Sequence, residues 1–213
     1  PYLKESNELP DQEEFGHIMR NVGAMSLHKL ATVIVRNTDS LLMSSFVGLL
    51  SVGYYSNYRL VLSGISNLVQ KFSNAFAGSL GNLGAMEDEK RVYSIYRELD
   101  LIYFFIYSYW TAGLIALFNA FITLCFGPQY CFSIVTVCII VLEFYISGQR
   151  QVNLMFREAK GLFWYDRYKA IVEAAINLTV SLALVQRFGV AGILGGTVIS
   201  SVCTCVWVEP YIL

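Results

Sequence analysis

Two sets of polar and ionisable side chains lie between residues 29 and 70. Their spacing places each set in a narrow stripe along one face of a helix, where the side chains could bind a ligand together. On a helix with 100° per residue, each stripe covers about 100° of the surface or less. The first consists of Lys29, Thr32, Arg36, Asp39 and Ser40, and the second of Tyr55, Arg59, Ser63, Ser66 and Gln70. The planar fork of an arginine can bind two phosphate oxygens. The stripes therefore predict a cavity that is lined by cations and binds an anionic substrate.

A third polar face comes later in the chain, where Asp166, Lys169, Glu173 and Asn177 fall within about 80° of one another. A simpler interpretation applies to all three stripes, because polar side chains often hold membrane helices together by bonding to each other. In that interpretation Arg36 pairs with Asp39, and Glu173 pairs with a neighbouring cation. The sequence alone leaves both interpretations open.

The composition indicates the environment of the helices that carry these stripes. The chain has 213 residues, of which 55% are hydrophobic and 15% charged, with a net charge of −1. A soluble domain usually carries about 25% charged residues, and the mean hydropathy here is +0.52. The balanced charge gives no basic surface for nucleic acid. These values exclude a disordered chain and favour an integral membrane protein.

A helix needs roughly 20 apolar residues to cross a membrane. The sequence predicts an all-α bundle with six membrane spans, separated by breaks near Gly48, Gly127-Pro128 and Gly189. Residues 1–21 read as an acidic cytoplasmic connection that leads into the first helix, and 22–213 as the membrane lobe. The predicted spans are about 22–48, 52–78, 97–126, 131–150, 168–187 and 189–208.

The orientation follows from the asymmetry of Lys and Arg outside the spans, because loops rich in these residues stay in the cytoplasm. Ten such residues fall on one side, against Arg187 alone on the other. The basic side is therefore predicted to be cytoplasmic, with both chain ends facing it. This predicts a multi-pass protein of the cell's inner membrane.

Several segments make the chain resemble a known family. The resemblance begins with Asn37-Thr-Asp-Ser-Leu-Leu-Met-Ser-Ser-Phe-Val-Gly48 and Ser51-Val-Gly-Tyr-Tyr-Ser-Asn-Tyr58. It continues through Ser79-Leu-Gly-Asn-Leu83, Gly161-Leu-Phe-Trp-Tyr-Asp-Arg-Tyr-Lys169, Glu173-Ala-Ala-Ile-Asn-Leu178, Phe188-Gly-Val-Ala-Gly192 and Gly196-Thr-Val-Ile-Ser200. The chain resembles Wzx-type polysaccharide biosynthesis proteins, which are lipid-linked oligosaccharide flippases of the multidrug/oligosaccharidyl-lipid/polysaccharide exporter superfamily.

The resemblance implies that this chain is the second six-helix lobe of a two-lobe transporter, partnered by an N-terminal lobe and by membrane lipid. The implied substrate is a polyprenyl-diphosphate-linked oligosaccharide, which moves to the outer leaflet for O-antigen, capsule or exopolysaccharide assembly. Transport would be coupled to protons or sodium, and the resemblance implies no catalytic residue, metal or cofactor.

Within this framework, the stripes supply the candidate site residues. Arg36 and Arg59 are predicted to contact the diphosphate, with Lys29 at the point where substrate enters. Asp39 and Glu173 are predicted to position these cations or to carry the coupling ion. The remaining substrate contacts are predicted at Ser40, Ser63, Ser66, Gln70 and Asn177.

Three other functions remain open. A multidrug or cation antiporter of the same superfamily would need carboxylates in its cavity, where the first two stripes carry Asp39 alone. A membrane enzyme of polyprenyl-phosphate glycan assembly would need an acidic or histidine cluster at the membrane surface. The compact acidic cluster of the loops is Glu87-Asp-Glu89, which adjoins Lys90 and Arg91. A purely structural membrane subunit is the last alternative.

Overall fold

The computed structural model describes residues 37–86, 89–159 and 169–212, together with isolated positions between 15 and 33. Every element in this part of the chain is helical, which confirms the predicted all-α class. Helix α1 is described over 37–42 and ends as a π-helical segment, Met43–Val47. The other helices are α2 Leu49–Met86, α3 Glu89–Phe126, α4 Ile134–Ala159, α5 Lys169–Phe188 and α6 Val190–Ile212, with a short 3-10 turn at Pro128–Tyr130.

The helices end at glycines that adopt a left-handed backbone. Gly48, Gly127 and Gly189 have φ angles of 117°, 107° and 55°, a region that is open to glycine at little cost. The three predicted breaks are therefore confirmed. The break after α1 is shorter than predicted, because α2 begins at Leu49 and not at about residue 52.

Helix α4 lies at the centre of the bundle and packs against α2, α3 and α6, while α5 packs mainly against α6. The last contact is close because two glycines of α6 face α5. A Cβ atom on Gly192 would lie 2.5 Å from the carbonyl oxygen of Leu184, and one on Gly196 would lie 2.8 Å from the backbone nitrogen of Ser181. Small residues at a spacing of four let helix backbones approach in this way.

Two helices in the described part are long and apolar enough to cross a membrane, namely Lys90–Phe126 and Ile171–Phe188. In the most apolar 18-residue stretch of each helix, only 22% and 17% of the residues, respectively, are buried. The core helix of a soluble protein would be mostly buried, and large exposed apolar surfaces are rare on soluble monomers. Val190–Thr204 is apolar but shorter. Helix α2 carries the second predicted stripe, and these polar side chains make it less apolar than α3 and α5.

Candidate functional site

A polar cavity of about 340 Å³ lies between α1, α2, α3, α4 and α6. This volume is near the lower end of the range for ligand pockets. Helix α2 supplies the longest wall, formed by all five residues of the second predicted stripe with Leu62 and Asn67. The predicted spacing thus places Tyr55, Arg59, Ser63, Ser66 and Gln70 on one surface.

Asp39 reaches the same cavity from α1 and is held there by a residue of α6. The hydroxyl oxygen of Thr197 lies 3.0 and 3.1 Å from the two carboxylate oxygens of Asp39, to which it donates. Asn177 on α5 donates to that hydroxyl from its amide nitrogen, at 2.8 Å. Because Asp39 is only 4% exposed, this chain of bonds fixes the position of its carboxylate.

Arg59 is exposed and is the cation among the described lining residues. Its guanidinium carbon lies 5.8 Å from the centroid of the Tyr55 ring, within the range of a cation–π contact. The charge of Arg59 acts on both Asp39 and Tyr55. The guanidinium group therefore lies against an aromatic ring in the cavity that Asp39 also lines, and it carries five N–H donors.

Glu143 on α4 is a functional candidate that the sequence analysis missed. It lines the cavity, and its charge acts on Asp39 and Tyr55, as that of Arg59 does. Ser147 and Gln151 follow at one-turn intervals on the same wall. The sequence did contain a signal for this site, since ionisable residues inside apolar segments are often functional. Glu143 is a lone carboxylate after a long uncharged run, and polar residues follow it four and eight positions later.

The opposite wall of the cavity depends on a close contact between α3 and α4. Gly148 packs against the ring of Tyr107, which a Cβ atom at this position would overlap. Both residues line the cavity. The absence of a side chain at Gly148 therefore lets the Tyr107 ring approach α4 closely at the cavity wall.

The described lining differs from the predicted one in charge. It carries two carboxylates, Asp39 and Glu143, against the single guanidinium of Arg59, whereas the stripes predicted that cations predominate. The two other predicted cations, Lys29 and Arg36, lie outside the described residues, as do Thr32, Asp166 and the acidic residues Glu87 and Asp88.

Two of the predicted substrate-binding residues, Asn177 and Ser40, lie away from the cavity surface. Asn177 is 1% exposed and bonds to Thr197 behind Asp39, so it is a support for the carboxylate rather than a lining residue. Ser40 is half-buried and does not line the cavity, although its neighbour Asp39 does. Helical periodicity indicates which residues share a face of α1 or α5. It does not indicate which residues of neighbouring helices pack over that face.

Glu173 also has a different position from the one predicted. Its carboxylate oxygen lies 3.4 Å from a guanidinium nitrogen of Arg150 on α4 and accepts a hydrogen bond of 3.0 Å from Ser201 on α6. The residue therefore joins α4, α5 and α6, as the simpler pairing interpretation predicted. It does not face Arg59 across the cavity.

The described residues contain no group of three or more His, Cys, Asp and Glu side chains that could hold a metal ion. Comparisons with protein-family models, with curated proteins and with solved structures each find no significant match.

Proposed function

We propose that the chain is one lobe of a membrane transporter that flips a polyprenyl-diphosphate-linked oligosaccharide to the outer leaflet for polysaccharide assembly. The observation that carries the proposal is the cavity in which Arg59 lies among hydroxyl, amide and tyrosine side chains. Such a lining suits a headgroup that combines phosphates with sugars, because it offers a planar cation beside many hydrogen-bonding groups.

The proposal places all six helices in the membrane, with both ends in the cytoplasm. Arg59, Ser63 and Gln70 lie on an exposed face of α2, although ionisable side chains in a membrane rarely face lipid. In the proposed transporter this face is turned toward a second lobe, and the cavity opens between the two. The polyprenyl tail stays in lipid while the headgroup occupies the cavity.

Asp39 is the proposed residue for ion coupling. Its buried carboxylate opens onto the cavity and is oriented by Thr197. A carboxylate in this position can bind a proton or a sodium ion when the cavity is open to one side of the membrane. We propose that Glu173, which is paired with Arg150, has a structural role instead.

The proposal is tested with the intact protein in cells that lack the chromosomal copy. Lipid-linked oligosaccharide is quantified on each face of the membrane after complementation with wild type, Arg59→Ala or Lys71→Ala. Lys71 is an exposed α2 cation outside the cavity, so it is the matched control. We expect cytoplasmic accumulation with Arg59→Ala and normal transport with Lys71→Ala. Full flipping by both Arg36→Ala and Arg59→Ala would contradict the proposal.

The two carboxylates of the lining favour a second candidate, a multidrug or cation antiporter. A cationic substrate would bind between Asp39 and Glu143. In that case deletion would leave the lipid-linked oligosaccharide unchanged and increase the sensitivity of cells to cationic drugs. Glu143→Gln would then reproduce the drug sensitivity, whereas Arg59→Ala would not.

A further inference from the structure

We propose that one end of the cavity is a sugar subsite, where Asn67 on α2 and Gln151 on α4 bind hydroxyl groups of the sugar next to the diphosphate. This inference rests on the proposed function and deepens it. The proposed function assigns the diphosphate contact to Arg59, and the sugar subsite adds two residues that determine which glycan is accepted. Neither Asn67 nor Gln151 belongs to the predicted stripes.

Helices α2 and α4 run in the same direction along the cavity. Near their starts, the backbone N–H of Phe132, just before α4, donates to the hydroxyl of Tyr58 on α2 at 3.0 Å. Further along, the hydroxyl of Tyr103 on α3 contacts both Ser73 of α2 and Met155 of α4. Residues that come later in either helix therefore lie toward the same end of the cavity.

This order separates two parts of the cavity lining. On α2, Tyr55 and Arg59 come first, and Asn67 follows two turns after Arg59. At 1.5 Å per residue, this spacing corresponds to about 12 Å along the helix axis. Gln151 is the last lining residue of α4, so it lies toward the same end as Asn67. The diphosphate and the sugar attached to it can therefore contact different parts of one lining.

The polar side chains toward this end have hydrogen-bonding capacity that the fold does not use. Hydroxyl groups in helices commonly bond back to a carbonyl oxygen of the preceding turn, as those of Ser56 and Ser73 on α2 do. Four lining residues take part in no hydrogen bond within the part of the chain that the structure describes, namely Ser66, Asn67, Ser147 and Gln151. Since lipid offers no partners for polar groups, these side chains are left to bond to water or to a ligand in the cavity.

The two amides of this set are the best suited to recognise a sugar. An amide side chain carries two N–H donors and a carbonyl oxygen that accepts, and a hydroxyl group both donates and accepts. Asn67 and Gln151 come from two helices that pack against each other, so a sugar can be bonded from both. A site built to bond a substrate hydroxyl discriminates strongly against an analogue that lacks it. The two amides therefore contribute specificity as well as affinity.

The experiment compares two ligands that share the diphosphate and differ in the sugar. The first is lipid-linked oligosaccharide purified from cells that lack the protein, where the proposed function predicts that it accumulates. The second is polyprenyl diphosphate of the same chain length without sugar. For the intact wild-type protein in detergent, we expect the first ligand to bind about tenfold more tightly, as one or two additional hydrogen bonds allow.

Asn67→Leu and Gln151→Met remove the amides at similar side-chain size. Each is expected to weaken binding of the oligosaccharide-linked ligand by about three- to tenfold and to leave binding of the bare diphosphate unchanged. Arg59→Ala should weaken binding of both ligands. Gln129→Met is the matched control, because Gln129 is exposed and lies outside the cavity, and it should bind both ligands as wild type does.

Equal affinity of wild type for the two ligands would overturn the sugar subsite. So would amide variants that bind both ligands as wild type does, or that lose affinity for both equally. In each case a weaker bare diphosphate with Arg59→Ala would leave the flippase proposal standing. No accumulation in the deletion cells, or no binding of either ligand by wild type, would contradict the flippase proposal as well. Should the amide variants fail to fold, Ser66→Ala and Ser147→Ala remove one hydroxyl each, and unchanged binding of the oligosaccharide-linked ligand by both would overturn the subsite.

Discussion

Tyr58 shows how one buried polar group joins several helices of the bundle. Its hydroxyl donates to the side-chain oxygen of Asn119 at 2.6 Å and accepts from the backbone N–H of Phe132 at 3.0 Å. Asn119 in turn donates to the carbonyl oxygen of Phe132 at 3.1 Å. Tyr58 is fully buried, so these bonds join α2, α3 and the segment before α4 without competition from solvent.

Tyr58→Phe is expected to destabilise the protein, because it removes one partner from both Asn119 and Phe132. A buried polar group left without a partner costs about 1–3 kcal/mol. Thermal unfolding of the protein in detergent measures the loss. Tyr109→Phe is the control, since Tyr109 is 77% exposed and a surface change of this kind usually stays within about 0.5 kcal/mol. Equal unfolding temperatures for the two variants would contradict the role given to Tyr58.

The sequence pattern of a single helix was enough to predict the α2 wall of the cavity. It was not enough to predict the residues that neighbouring helices bring to the same cavity. The α2 stripe was predictable because Arg59, Ser63 and Gln70 repeat with the helical period. Glu143 was missed because the cavity that it lines with Asp39 and Tyr55 is formed by side chains from several helices. Asn177 was assigned to substrate for the same reason, since its spacing does not reveal that Thr197 covers it.

At the scale of elements, the breaks between helices were predictable and the helix lengths were not. Gly48, Gly127 and Gly189 stop their helices because of backbone conformation, which the residue type already indicates. Hydropathy marks only the apolar part of a helix. Backbone hydrogen bonding continues past it, so α2 runs to Met86 and α4 to Ala159, beyond the predicted ends at 78 and 150.

The packing of α5 on α6 gives a prediction at this scale. Gly192→Ala and Gly196→Ala are expected to destabilise the lobe, because the added Cβ atoms would meet the backbone of α5. Overpacking of this kind costs typically 1–3 kcal/mol. Gly195→Ala is the matched control, since nothing lies within 4 Å of its Cβ position, and it should be neutral or slightly stabilising. Thermal unfolding of the three variants side by side provides the measurement.

An opposite ranking of these variants, with Gly195→Ala the least stable, would contradict the α5–α6 contact. The same contact positions the cavity, because Asn177 on α5 and Thr197 on α6 support Asp39. Gly196→Ala is therefore also expected to weaken transport in the flipping assay. Gly195→Ala should leave it intact.

For the molecule as a whole, two helices are long and apolar enough to cross a membrane, which is compatible with a membrane location. Few residues in the apolar stretches of α3 and α5 are buried in the bundle. Exposure of such apolar surface is unfavourable in water and favourable in lipid. The polar cavity is lined mainly by α2 and α4, and α3 contributes Tyr107 to it. In the proposed transporter, the side of the bundle that carries this cavity is turned toward the second lobe.

The orientation of the lobe is open to a direct test by cysteine labelling of intact cells, after the native cysteines are replaced by alanine. Arg187→Cys lies at the end of α5 and Lys90→Cys at the start of α3, on opposite sides of the predicted topology. A membrane-impermeant maleimide should label Arg187→Cys in intact cells and Lys90→Cys only after permeabilisation, because Lys-rich and Arg-rich loops stay in the cytoplasm. Labelling of both positions from outside would place these helix ends on one face and contradict the six-span arrangement. The reverse pattern would keep the spans but invert the lobe, so that Asp39 and Arg59 would meet the substrate from the other side of the membrane.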